Sequence, residues 1–195
     1  AAAAVMSSSM VSIEEQLQAA GLELLGYCDG LASQMPNWRH GSALLEDLTA
    51  QELDALGLLM PKVRAQPGQV LIAEGDVGDW LLLVFSGTID VTKNYASDEA
   101  SRLAVIKQGA SVGEMSMFDS APRYASCVAI QQVEAGVLTR AVIAQMIQAH
   151  PVVGAKLLVK LTQMLAQRLR NTSNQMVKLM QSKEGDAVAV ADLSD

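Results

Sequence analysis

Cysteine and histidine are scarce in this chain of 195 residues, with two of each. Cys28 and Cys127 lie far apart and show no CxxC spacing, which excludes a disulfide-stapled scaffold and a thiolate metal site and leaves two buried thiols. His40 and His150 have no Cys, Asp or Glu at ligand spacing, so no metal centre is expected. His150 reads instead as a helix end, where a cation is favoured. Long apolar runs are missing too. The stretch Trp80–Phe85 is far shorter than the ~20 residues of a membrane-spanning helix, and no basic start followed by an apolar block marks a secretory signal. A soluble, cytoplasmic protein without a membrane partner is expected. The sequence also lacks a GxGxxG motif and any nucleophile-base constellation, so the expected role is not enzymatic.

A strongly basic stripe, the footprint of a duplex-DNA binder, is absent as well. The net charge is −7, and residues 1–60 account for all of it, with eight acids against the single base Arg39. The rest of the chain is neutral overall, but residues 151–183 carry six bases and no acid. Lys156, Lys160, Arg168, Arg170, Lys178 and Lys183 there read as a solvated face, or as a contact surface for an acidic partner such as residues 1–60. No DNA contact by this chain is expected, whereas a small anionic ligand needs only one or two cations.

What is present has a clear order. The first ten residues, AAAAVMSSSM, are low in complexity and are set aside as a leader. Apolar residues at helical spacing predict a helix from Ile13 to about Leu31. Thr49-Ala50-Gln51-Glu52 has the form of a capping box, predicting a second helix to about Leu59. After Pro61, short runs rich in β-formers alternate with glycine: Lys62–Ala65, Gln69–Ala73, Asp79–Ser86, Thr88–Lys93, Arg102–Lys107, Ser126–Ile130 and Val133–Leu138. Strands this short and close imply an all-β roll or barrel. A short helix is expected over Arg140–Ala149, a break at Pro151, and a long helix from Val152 to Met180 with a frayed tail after Glu184. The expected organisation is therefore a leader and acidic helical extension (1–47), a β-roll with flanking helices (48–150), a long helix (151–183) and a disordered tail (184–195).

The segment Gly113-Glu114-Met115-Ser116-Met117-Phe118-Asp119-Ser120-Ala121-Pro122-Arg123-Tyr124-Ala125-Ser126 concentrates the chemistry. Free backbone N–H groups at such a turn form an anion nest, and an adjacent arginine can grip a phosphate through two bonds. Glu114 can accept hydrogen bonds from sugar hydroxyls. The same residues also allow a plain Arg123–Glu114 salt bridge that closes a loop.

This segment resembles the phosphate-binding cassette of the cyclic-nucleotide-binding domain family. Residues Pro67–Trp80 are similar to that family's glycine-punctuated opening, and Gly87 and Gly109 fall where its later turns fall. The resemblance spans about Leu48 to Met180. It implies a mainly β fold with flanking helices, a double-stranded β-helix or jelly roll, and cAMP or cGMP as a regulatory ligand. It further implies that Glu114 holds the ribose 2′-hydroxyl and Arg123 the cyclic phosphate, with Gly113, Met115, Tyr124 and Ala125 around them. Tyr124 departs from the pattern, since relatives place Ala, Ser or Thr after the arginine. Its ring either stacks on or crowds the base, or turns to solvent or core.

Leu161–Ser173 is similar to the dimerisation helix of catabolite activator proteins. That likeness implies a homodimer through residues 152–180 and places Thr172 and Ser173 against the base. Read from the residues alone, the two hydroxyls are polar interruptions of a coiled-coil seam. Ligand capture is expected to bias a two-state element made of the 140–149 helix, the Pro151 hinge and the long helix. Three outputs are compatible with this reading: a stand-alone sensor, the sensory half of a transcription regulator, or a degenerate roll that serves as an interaction module.

Overall fold

The apolar run Trp80–Phe85 sets the layering of the molecule. In an extended strand alternate side chains face opposite ways, and here both faces are covered. Trp80, Leu82 and Val84 point into the interior of a β-roll, while Leu81, Leu83 and Phe85 point into a helical core on the other side. A strand buried on both faces has no polar alternation to show, which is why it reads as a continuous hydrophobic run.

The computed structural model describes residues 12–94 and 100–191. The expected leader and the last four residues of the expected tail lie outside them. Along the described chain run α1 (Ile13–Ala19), β1 (Glu23–Tyr27), α2 (Leu31–Gln34), α3 (Trp38–Gly41) and α4 (Ala50–Gly57). The strands β2 (Pro61–Ala65), β3 (Val70–Ile72), β4 (Trp80–Ser86), β5 (Thr88–Asn94), β6 (Ala100–Lys107) and β7 (Ser111–Val112) follow. Then come α5 (Ser116–Asp119), β8 (Ser126–Ala129), β9 (Val133–Thr139), α6 (Arg140–Ala149) and α7 (Pro151–Ala191). A five-stranded antiparallel sheet, β1-β2-β9-β4-β7, faces a four-stranded one, β3-β8-β5-β6. Two facing antiparallel sheets flanked by helices are the jelly-roll architecture expected from the sequence.

The capping box forms as expected: the Thr49 hydroxyl accepts from the Glu52 N–H and the Glu52 carboxylate accepts from the Thr49 N–H. The break at Pro151 is present too. Proline opens α7 at the position where its missing N–H costs nothing, and His150 caps α6.

The helix expected from Ile13 to Leu31 is corrected. It stops at Ala19, because Gly21 takes a left-handed φ of 80° that turns the chain, and Glu23–Tyr27 becomes a strand instead. That strand pairs with β2, Glu23 opposite Arg64 and Leu24 opposite Val63, so the sheet edge is satisfied at the expense of helical periodicity. The long helix also outruns its expected end, continuing through the expected tail to Ala191. Val153, Leu157 and Leu161 anchor its first turns in the helical core. From Gln167 to Lys178 every residue is exposed, including Leu169, Met176 and Val177.

The basic residues of this helix are partly spoken for. Lys156 pairs with Glu52 at 2.7 Å, and Lys160 with Glu46 at 2.5 Å and Asp47 at 3.0 Å. The acidic amino-terminal part therefore does meet α7, the second of the two readings weighed from the sequence.

Candidate functional site

Gly113 ends β7 with φ 95°, a conformation open to glycine and strained for other residues. The turn it makes leads into α5 and drives Glu114 inward, where it is 0% exposed. After α5 the chain turns at Ser120, and Asp119 Oδ1 accepts from the Ala121 N–H at 2.9 Å. Pro122-Arg123 then lies against the opening glycine turn: the Arg123 N–H donates to Asp76 O, and the Gly75 N–H donates to Arg123 O. The glycine-punctuated opening and the 113–126 segment are thus hydrogen-bonded to each other.

Arg123 is 4% exposed. Its Nη1 donates to Gly113 O at 2.8 Å and its Nη2 to Trp80 O at 2.7 Å, and its guanidinium lies 4.6 Å from the centroid of the Trp80 ring. No carboxylate forms an ion pair with it among the described residues. Burial pushes its pKa down, against the pull of Cys127, Asp79, Asp76 and Glu114. The neighbouring Cys127 thiol, buried in β8, is pushed up to about 12.

Glu114 shows the complementary condition. Burial raises its pKa above 4.5, chiefly by stripping water from the carboxylate, while Arg168 and Arg123 oppose the shift. Both oxygens are buried, and apart from an approach to the residue's own backbone N–H, which also holds the pKa down, neither meets a hydrogen-bond donor in good geometry among the described residues. Its one ionic partner is Arg168 of α7, Nη2 to Oε1 at 2.7 Å, a close approach without hydrogen-bond geometry. The loop-closing Arg123–Glu114 bridge weighed from the sequence does not form. Instead the turn carries a buried cation and a buried carboxylate, each short of partners.

The other expected residues are distributed unevenly. Met115 is exposed and precedes α5, and Ala125 is half-buried at the start of β8. Tyr124 is 56% exposed, and its ring lies 4.4 Å below the ammonium of Lys93, which also bonds Tyr124 O at 2.8 Å and Glu74 at 2.5 Å. Thr172 and Ser173 are not brought to the cassette. Both are exposed, and the Thr172 hydroxyl donates to Arg168 O of its own helix.

Sequence reasoning missed Trp80, Arg140 and the cassette role of Arg168, which was counted with the solvated face. Arg168 stands one turn before Thr172-Ser173, a spacing that puts it on the same side of α7. Arg140, at the start of α6, reaches back to α5. Its Nε donates to Met117 O at 2.6 Å, and its Nη2 to Ser116 O and Ser120 Oγ at 3.2 and 3.0 Å. The cassette helix is therefore tied to the helices that follow the roll. Among the described residues no cluster of three His, Cys, Asp or Glu side chains that could hold a metal occurs, and no helix is long and apolar enough to cross a membrane.

Comparison with known proteins places these features. Residues 62–150 match the family model described as "Cyclic nucleotide-binding domain". A cyclic AMP receptor protein from Thermus thermophilus is 31% identical over 152 residues, covering 77% of this chain and 68% of that protein. A CRP-like cAMP-activated global transcriptional regulator from Mycobacterium tuberculosis is 27% identical over 139 residues, 71% of this chain. The chain spans 60% of that regulator's length. The crystal structure of a cyclic nucleotide-binding domain from Methylobacillus flagellatus KT superposes with a TM-score of 0.70 at 31% identity, covering 85% of this chain and 91% of that one.

Proposed function

The chain belongs to the cyclic nucleotide-binding domain family, and from that premise we propose that it is a non-enzymatic sensor whose β-roll captures cAMP and passes the event to α6 and α7. The single observation that carries this reading is the buried, carboxylate-free guanidinium of Arg123 beside the buried, under-bonded carboxylate of Glu114. Removing an ion from water costs several kcal/mol unless partners replace the hydration. A cyclic phosphate would supply the anion that Arg123 lacks, and a ribose 2′-hydroxyl would supply the donor that Glu114 lacks. Gly113, Met115, Tyr124 and Ala125 surround that position, with backbone N–H groups available for the phosphate.

The coupling follows from two arginines. Arg140 ties α5 to α6, so a shift of the cassette is felt at the Pro151 junction. Arg168 ties α7 to Glu114, so a sugar hydroxyl competes with a contact that holds α7. Ligand binding then biases the position of α7. The exposed apolar residues Leu169, Met176 and Val177 fit a second copy of the chain, in which Thr172 and Ser173 would meet the base. The relatives that match over the longer stretches are named for cyclic AMP, and shorter matches for cGMP, which favours cAMP in this reading. Glu46, Asp47 and Glu52 serve in this reading as an electrostatic rest for the first turns of α7, in a cytoplasmic homodimer that makes no DNA contact of its own.

Titration of cAMP and of cGMP into the wild-type chain and into Arg123→Ala, followed by calorimetry, tests this. Saturable micromolar or tighter binding of cAMP that disappears in the variant is the expected result. Absence of binding by the wild type would leave the roll as an interaction module and end the sensor reading.

A further inference from the structure

Arg123 is held in place by an aromatic side chain as well as by carbonyl groups. The Trp80 indole is 8% exposed and stacks on the guanidinium at 4.6 Å, while its own carbonyl takes an N–H from Nη2. One residue thus contacts both the face and the edge of the same cation. Two glycines admit this arrangement. A Cβ on Gly78 would lie 2.8 Å from Arg123 Nη2 and 3.2 Å from Trp80 Nε1, and a Cβ on Gly113 would lie 2.9 Å from Arg123 Nη1. The guanidinium is clamped in a slot with an indole on one face and glycine on its flanks.

We infer that Trp80 is a positioning residue for ligand capture: its ring fixes the plane of Arg123 so that the guanidinium edge not spent on Gly113 and Trp80 carbonyls is presented to an incoming phosphate. The inference rests on the cyclic-nucleotide reading of the site. Its physical basis is that a desolvated cation on an aromatic face gains more than an exposed one, and that a cation fixed in advance loses less freedom on binding. A flat ring is the essential element. Phenylalanine at position 80 preserves the stack, and leucine removes it while keeping the apolar bulk that the roll interior requires.

The test uses cAMP as the probe and the whole chain. Trp80→Leu is expected to weaken cAMP binding about ten- to thirty-fold, while Trp80→Phe stays within about threefold of the wild type. Gly78→Ala gives a second handle, because its methyl group would crowd Arg123 Nη2 at 2.8 Å and Trp80 Nε1 at 3.2 Å and so disturb the stack while leaving the indole in the chain. It should weaken binding in the same direction. The chain has two tryptophans, so a Trp38→Phe background isolates the emission of Trp80. That emission should change on adding cAMP, and should no longer respond to cAMP once Arg123→Ala is introduced. Should Trp80→Leu fail to fold, Gly78→Ala and the emission signal decide. A folded Trp80→Leu or Gly78→Ala that binds cAMP as tightly as the wild type overturns the positioning role and leaves the sensor reading intact. A wild type that binds neither cAMP nor cGMP overturns both.

Discussion

α7 meets carboxylates at two places along its length, and the two are built differently. Near its start, Lys156 and Lys160 reach Glu52, Glu46 and Asp47 in partly solvated pairs. About two turns after Lys160, Arg168 reaches Glu114, which is 0% exposed and meets no other side chain in hydrogen-bond geometry among the described residues. In the first set two ammonium groups face three carboxylates, so each cation has a partner, and water screens what remains. The second lies in a site that also buries Arg123 with no carboxylate against it. Proteins keep polar groups in deficit where something other than the fold completes them. In the proposed sensor the start of α7 holds the helix on the body, and the Arg168 region responds to whether the cassette is filled.

The comparison breaks most visibly at Arg123. Arg123→Ala is expected to weaken cAMP binding by two orders of magnitude or more, within the ~2–5 kcal/mol for truncating one partner of a buried charged pair. Its thermal midpoint should fall little, since a desolvated charge has also been removed. Arg168→Ala comes next. It leaves the Glu114 carboxylate buried without its ionic partner, and chemical denaturation should register a loss of about 1–3 kcal/mol. The pH dependence sharpens the same point. Because burial raises the folded pKa of Glu114, the native state holds its proton when the unfolded chain has already released it. The contribution of this group to stability is therefore full below pH 4.5 and is lost as pH rises through the raised folded value. Glu114→Gln should flatten that segment of the stability profile. Binding that uses the carboxylate as an acceptor should release a proton there, so affinity rises with pH in the wild type and not in the variant. Lys160→Ala should have the smallest effect on the denaturation midpoint, diminishing further in 1 M salt.

Local signals made much of this legible in the sequence. The cassette is contiguous, so Glu114, Arg123 and the turn between them stand out, and the glycine-separated β runs map onto β2 to β6, β8 and β9, while the two-residue β7 carries too short a pattern to read. Long-range competition defeated the rest. Residues 23–27 carry a helical spacing, yet the open edge of β2 offers backbone partners that no local pattern records. Trp80 reads as one more apolar residue of a buried strand, since a stack on Arg123 requires knowing that residues 43 positions apart converge. Arg168 reads as a surface base because its partner lies in the roll. Periodicity locates a helix face but does not say which buried acid that face will meet.

The most direct measurement is a crystal structure of the chain grown with cAMP. The cyclic phosphate should lie within hydrogen-bond distance of the Arg123 guanidinium, with the ribose 2′-hydroxyl on a Glu114 oxygen. An empty cassette at saturating nucleotide, or a nucleotide seated elsewhere with Arg123 still bonded only to Gly113 and Trp80, would contradict the account.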